Sequence, residues 1–135
     1  MSLETILLVE DNEDDVFAFK WTLGKAQVAM SLQVVMHGRQ AVAYLGGDAE
    51  FADREKYPVP RLVFLDLKLP YLNGHEVLAW IRQQPQYGDL TVVLLSGSDE
   101  DRDHKRGLEN GANGYLVKPV APETLFAVIA SSCGQ

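Results

Sequence analysis

Four short apolar runs in this chain each end in residues able to do chemistry. Ile6-Leu7-Leu8-Val9 is followed by Glu10 and Asp11, Leu62-Val63-Phe64-Leu65 by Asp66, Val92-Val93-Leu94-Leu95 by Ser96, and Tyr115-Leu116-Val117 by Lys118 and Pro119. If the runs are strands of one parallel sheet, three carboxylates, a hydroxyl and an ammonium converge on one rim, where doubly wound sheets bind ligands. Clustered carboxylates repel and raise one another's pKa unless a cation neutralises them. Mg²⁺ suits such a site, because it prefers a few oxygen ligands together with water and phosphate. A carboxylate can also accept a phosphoryl group as an aspartyl-phosphate. The metal, Lys118 and the Ser96 hydroxyl would then stabilise the charged phosphoryl oxygens.

Each residue also has a plainer reading. The run Glu10 to Asp15 could be a capped acidic first turn of a helix. That reading explains Asp14 and Asp15 well and Glu10 poorly, since Glu10 is still at the strand end. Asp66 could be a turn residue, Ser96 a loop hydroxyl and Lys118 a rim charge. Taken singly, only Asp66 favours the chemical reading.

The elements that must position these residues follow from pattern. The runs are too short for helices, rich in branched residues, and apolar without alternation, as in strands covered on both faces. Leu32-Gln33-Val34-Val35-Met36 and Tyr115-Leu116-Val117 are less purely apolar and fit the edges. Helical patterns lie between the runs. One starts near Asn12 with Val16, Phe19, Lys20 and Leu23 on one face, and one after Gly38 carries Ala41, Val42 and Leu45. A third is capped by Asn73 with Val77, Leu78 and Ile81 inward, and a fourth is capped by Asp99. The last begins at Pro122 with Leu125, Phe126 and Ile129. Five alternations of strand and helix imply a doubly wound α/β sheet. The Gly46–Pro60 connection is far longer than the roughly 2–6 residues usual there and reads as a surface loop with a helical turn. The helix from Asp99 to Asn110 is polar nearly all round, with Leu108 its one large apolar anchor, so it should be among the least firmly held elements.

The chain of 135 residues has 12 basic and 19 acidic groups and a net charge of −7, with 47% apolar residues. This is globular composition, and the length suits one domain over residues 1–135. The acidic balance argues against nucleic acid as a partner. No run approaches the roughly 20 apolar residues of a membrane span, and the N-terminus lacks a signal-peptide pattern, so a cytoplasmic location is expected. Cys133 is the single cysteine and excludes an internal disulfide. His37, His75 and His104 show no ligand spacing and are assigned to no metal.

The segments ILLVEDN at 6–12, FLDLKLPYLNG at 64–74, VVLLSGS at 92–98 and GANGYLVKP at 111–119 resemble the receiver domain of bacterial two-component response regulators. The resemblance covers essentially the whole chain, and the spacings from Asp66 to Ser96 and on to Lys118 fit. It implies a flavodoxin-like (βα)5 fold with strand order 2-1-3-4-5. It implies Asp66 as phosphoacceptor, Asp11 as a direct Mg²⁺ ligand with Glu10 acting mostly through water, and the backbone carbonyl of Lys68 as a further ligand. Ser96 matches the switch hydroxyl, Lys118 the phosphoryl-contacting lysine, and Tyr115 the switch aromatic, while the bond before Pro119 is expected to be cis. The family's dephosphorylation rate depends on the residues two past the acceptor and two past the hydroxyl. Here these are Lys68 and Ser98, neither suited to orient a hydrolytic water, which implies a long-lived phosphoryl group.

The resemblance also implies partners. A sensor histidine kinase would supply the phosphoryl group, and ILLVEDNEDD with the long loop ending YPVP is similar to stand-alone receivers found beside bacterial phytochromes. A histidine phosphotransfer protein, a downstream effector and a homodimer are further assemblies open to such a module, with no output domain expected. The reading is therefore a signalling module, not an enzyme. Two other classes stand beside it: a pseudo-receiver that binds partners without phosphate, and a small aspartyl-phosphate phosphatase. Such phosphatases usually carry a second Asp two residues after the nucleophile, where this chain has Lys68. A flavin protein would want a hydroxyl- and Gly-rich phosphate loop after the first strand, where this chain has six polar residues, five of them acidic.

Overall fold

The computed structural model describes residues 4–97 and 101–133, with the side chains of 101–104, 132 and 133 left aside. Strands β1 (Glu4–Val9), β2 (Met30–Val35), β3 (Leu62–Asp66), β4 (Thr91–Ser96) and β5 (Gly114–Val117) alternate with helices α1 (Glu13–Ala26), α2 (Gly38–Gly46), α3 (Gly74–Gln83), α4 (Asp101–Glu109) and α5 (Pro122–Cys133). All strand pairs are parallel, in the order β2-β1-β3-β4-β5, as expected. The two weaker apolar runs do lie at the edges. No helix among the described residues is long and apolar enough to cross a membrane.

Continuous apolarity is explained by two cores, one on each face of the sheet. Leu7, Val9, Val63, Leu65, Val92 and Leu94 point to one side and pack with Ala41, Leu45, Val77, Leu78 and Ile81 of α2 and α3. The alternate residues Ile6, Leu8, Leu62, Phe64, Val93 and Leu95 point to the other, against Phe19 of α1 and Leu125 and Ile129 of α5. Burying both faces of each central strand fixes the register, since a one-residue slip would exchange the two sets.

Caps start the helices where the site needs them. The Asn12 side chain accepts the Asp15 backbone N–H at 3.0 Å, and Asn73 with Glu76 forms a reciprocal capping box at α3. The expected Asp99 cap, like Ser98, lies outside the described residues. Two expected core contacts are corrected. Phe126 is 45% exposed and Leu108 is 46% exposed. Among the described side chains of α4, the buried position is Gly107, so close to β4 that a Cβ there would lie 2.2 Å from Leu94 Cδ1. The absence of a side chain, and not an apolar anchor, brings this polar helix against the sheet.

The Gly46–Pro60 connection carries the expected helical turn and is tied down more firmly than a surface loop requires. Its 3₁₀ turn at Ala49–Phe51 buries Phe51 in an aromatic cluster, with ring centroids 5.2 Å from Tyr44 and 5.0 Å from Tyr57. The Arg54 guanidinium donates to the carbonyls of Tyr44, Leu45 and Tyr57, which ties the loop to the end of α2.

The turn from β3 into α3 is held by backbone proximity. Gly74 donates its N–H to the Leu67 carbonyl at 3.0 Å, and a Cβ at Gly74 would lie 2.5 Å from the Asp66 carbonyl oxygen and 2.7 Å from Leu67 Cα. Backbone cannot rotate away as a side chain can. Gly74→Ala is therefore expected to lower the free energy of unfolding by about 1–3 kcal/mol, read from urea denaturation, and an unchanged midpoint would contradict this account of the turn.

Candidate functional site

The carboxyl ends of β1, β3, β4 and β5 bring the predicted residues together. Glu10 is 1% exposed, Asp66 and Ser96 are 5% exposed, and Asp11 is open to solvent. The Lys118 ammonium joins them. It donates to Glu10 Oε1 at 2.9 Å, Asp66 Oδ2 at 3.2 Å and Asp15 Oδ2 at 2.8 Å. The Lys118–Pro119 peptide bond is cis, as the family resemblance implies.

Backbone amides complete the carboxylate shell. The Lys68 N–H donates to Asp66 Oδ1 at 3.0 Å, and the Asn12 N–H to Glu10 Oε2 at 3.2 Å. Both arise because the chain turns immediately after each strand end. Ser96 and Tyr115 lie on adjacent strands, with Tyr115 opposite Leu94 in register. Alternation then puts Ser96 and Tyr115 on the same face of the sheet, the one that α4 covers. Tyr115 is 38% exposed.

Two acids so close cannot both ionise cheaply. Burial pushes Glu10 up to about 7 from its ordinary 4.5, and the neighbouring Asp66 carboxylate adds to the rise against the opposing pull of Lys118. For Lys118, burial alone would favour the neutral amine. Hydrogen bonds to Asp15 and Glu10, with the charge of Asp66, outweigh it and hold the ammonium above its ordinary range.

Glu10, Asp11 and Asp66 each offer a carboxylate oxygen within 4.8 Å of the others, so the cluster could bind a metal. An all-oxygen, anionic donor set of this kind fits a hard dication better than a soft one. The residue that sequence reasoning missed is Asp15, which was read as part of an acidic helix turn. It is in that turn, yet it also reaches Lys118. The available signal was its place in the first turn of α1, which begins directly beyond the acidic end of β1 and so lies at the rim.

Comparison with known proteins agrees with this arrangement. The sequence pattern of the response regulator receiver domain matches residues 6–130. The response regulator Rcp1 of Synechocystis is 34% identical over 126 residues, covering 93% of this chain and 84% of its own. Its solved Mn²⁺-bound form superposes with a TM-score of 0.78, covering 95% of this chain and 92% of that one. The bacteriophytochrome response regulator AtBRR is 35% identical with a TM-score of 0.85, over 98% and 94% of the two chains. The phosphorylated cyanobacterial phytochrome response regulator RcpA is 32% identical with a TM-score of 0.80, over 96% and 91%.

The protonation balance gives a measurable consequence. A carboxyl whose folded pKa is raised contributes stability below its unfolded pKa and loses it as pH rises through the folded value. Between pH 4.5 and 7 the Glu10 carboxyl therefore turns unfavourable in the metal-free protein. Glu10→Gln, which stays neutral, should gain stability relative to the wild type from pH 5 to pH 8, by on the order of 2–3 kcal/mol. Parallel urea titrations in EDTA measure the difference, and a gap that stays flat across this range would contradict the raised value.

Proposed function

The chain belongs to the response regulator receiver domain family of two-component systems, and on that premise we propose that Asp66 accepts a phosphoryl group from a sensor histidine kinase and that the resulting change at Ser96 and Tyr115 alters its protein contacts. The observation that carries this reading is the Lys118 ammonium held among Glu10, Asp15 and Asp66 at the sheet rim. The phosphorylated state of RcpA and the Mn²⁺-bound state of Rcp1 support it by similarity. Likeness to phytochrome response regulators supports a phytochrome-type kinase as the donor, and a receiver that works in the cytoplasm suits that role.

In the transfer, an Asp66 carboxylate oxygen attacks phosphorus. A P–O bond forms as the P–N bond to the donor imidazole breaks, and the imidazole nitrogen keeps the bonding pair. The Lys68 and Lys118 donors orient the two Asp66 oxygens, so the attacking lone pair is aimed before the donor arrives. Lys118 then offers charge to the phosphoryl oxygens. Glu10, Asp11, Asp66 and the Lys68 carbonyl would hold Mg²⁺, which when bound neutralises carboxylate and phosphoryl charge.

Signal output follows from competition for Ser96. The phosphoryl group adds charge and acceptor oxygens, and a Ser96 hydroxyl drawn toward them would move the end of β4. Tyr115 shares that sheet face and would move inward as space opens, which shifts the α4 and β5 surface between two states.

Two measurements test this reading. Intact mass after acetyl phosphate should rise by one phosphoryl group with Mg²⁺, and not in EDTA or in Asp66→Ala. An equal gain in Asp66→Ala would overturn the assignment of the acceptor. Once formed, the phosphoryl group should persist for minutes or longer, because Lys68 supplies no acid or amide to orient water; decay within seconds, followed by mass after donor removal, would contradict that.

A further inference from the structure

Lys118 has only three ammonium donors, and the three carboxylates take all of them. A phosphoryl group arriving at Asp66 can be contacted only if one acceptor lets go. The three are not equivalent. The Glu10 and Asp66 side chains are 2% and 7% exposed, whereas that of Asp15 is 39% exposed. Glu10 and Asp66 also belong to the cluster that could bind a metal, and Asp15 does not. Asp15 can therefore release Lys118 into water-solvated surroundings, while the other two cannot be rehydrated without opening the site.

Asp15 is placed for this by its own cap. Its backbone N–H is fixed by Asn12 Oδ1 at 3.0 Å, which sets the side chain over the rim. With Glu10, Lys118, Phe19, Thr22 and Val120 it lines a cleft of about 330 Å³ beside the acceptor.

Resting on the receiver reading above, we propose that Asp15 is a positioning residue that holds Lys118 in the resting state and competes with the phosphoryl group for it. The contact is made before transfer and lost during it, so it stabilises the ground state alone and slows phosphoryl uptake. Its charge also opposes an approaching anionic donor. Both effects have the same sign.

The test compares wild type, Asp15→Asn, Asp15→Ser and the conservative Asp15→Glu with acetyl phosphate in Mg²⁺ buffer. The Asp66 oxygen forms the new P–O bond and acetate departs with the electron pair of the old one. The second-order rate constant should rise about two- to fivefold in the Asn and Ser variants at low salt. That advantage should shrink towards about 1 M KCl, because a half-exposed charge is screened, and Glu should restore the slow rate. A change in local packing alone would not respond to salt in this way. Unchanged or slower uptake in both neutral variants, or a salt-independent gain shared by the Glu variant, overturns the proposal. A wild-type protein that takes up no phosphoryl group overturns the receiver chemistry and this inference with it, whereas normal wild-type uptake with unaltered neutral variants overturns only the inference.

Discussion

Burying Glu10 and Asp66 side by side is unfavourable unless a cation shares their space. Lys118 meets that need from the end of β5, the strand furthest from β1 on that side of the sheet. The ion pairs therefore join chain segments that are remote in sequence, and they require β1, β3, β4 and β5 to end at one level. A buried cluster of this kind is poor evidence for stability, since the cost of taking both signs out of water offsets their attraction. It is better understood as stored reactivity: an acid shifted towards neutrality, the proposed acceptor Asp66 already oriented by a backbone amide, and an ammonium held above its usual range.

The rest of the fold serves to keep that edge level. Parallel strands with both faces buried cannot slip by one residue without exchanging two apolar cores. Glycines permit the close approaches that the turns require. Gly74 lets α3 start against the backbone of the Asp66 turn, and Gly38 lets α2 start against Leu72. Gly107 does the same for α4 against β4, and this contact puts a polar helix beside the strand that carries Ser96. An element seated by a missing side chain can shift with little loss of apolar burial, which suits the helix nearest the Ser96 and Tyr115 face.

Much of this was legible in the chain. Unbroken apolar runs identified β1, β3 and β4, and the residues at the strand ends pointed to a candidate site only when Glu10, Asp11, Asp66, Ser96 and Lys118 are taken together, since singly only Asp66 favours chemistry. Helix patterns were read correctly where Leu78 or Leu125 repeats at helical spacing, and incorrectly where an apolar residue was assumed to be buried. Phe126 and Leu108 carry the right type at nearly the right spacing yet face outward, since periodicity cannot say where a neighbour leaves room. The packing of Phe51 and Tyr57 against Tyr44 of α2 was hidden for the opposite reason: residues of a connecting loop obey no period. Asp15 was obscured by a sufficient explanation, as an acid in a first turn needs no partner until Lys118 is placed beside it.

The central claim is that Asp66, set between an amide and the Lys118 ammonium, becomes an acyl phosphate. Borohydride cleaves acyl phosphates reductively, so treating the phosphorylated protein and sequencing its peptides by mass reports the acceptor directly. The account predicts homoserine at position 66 and unmodified carboxylates at Glu10, Asp11 and Asp15. Homoserine at position 11 or 15, or a phosphoryl group that survives borohydride on Ser96, would contradict it.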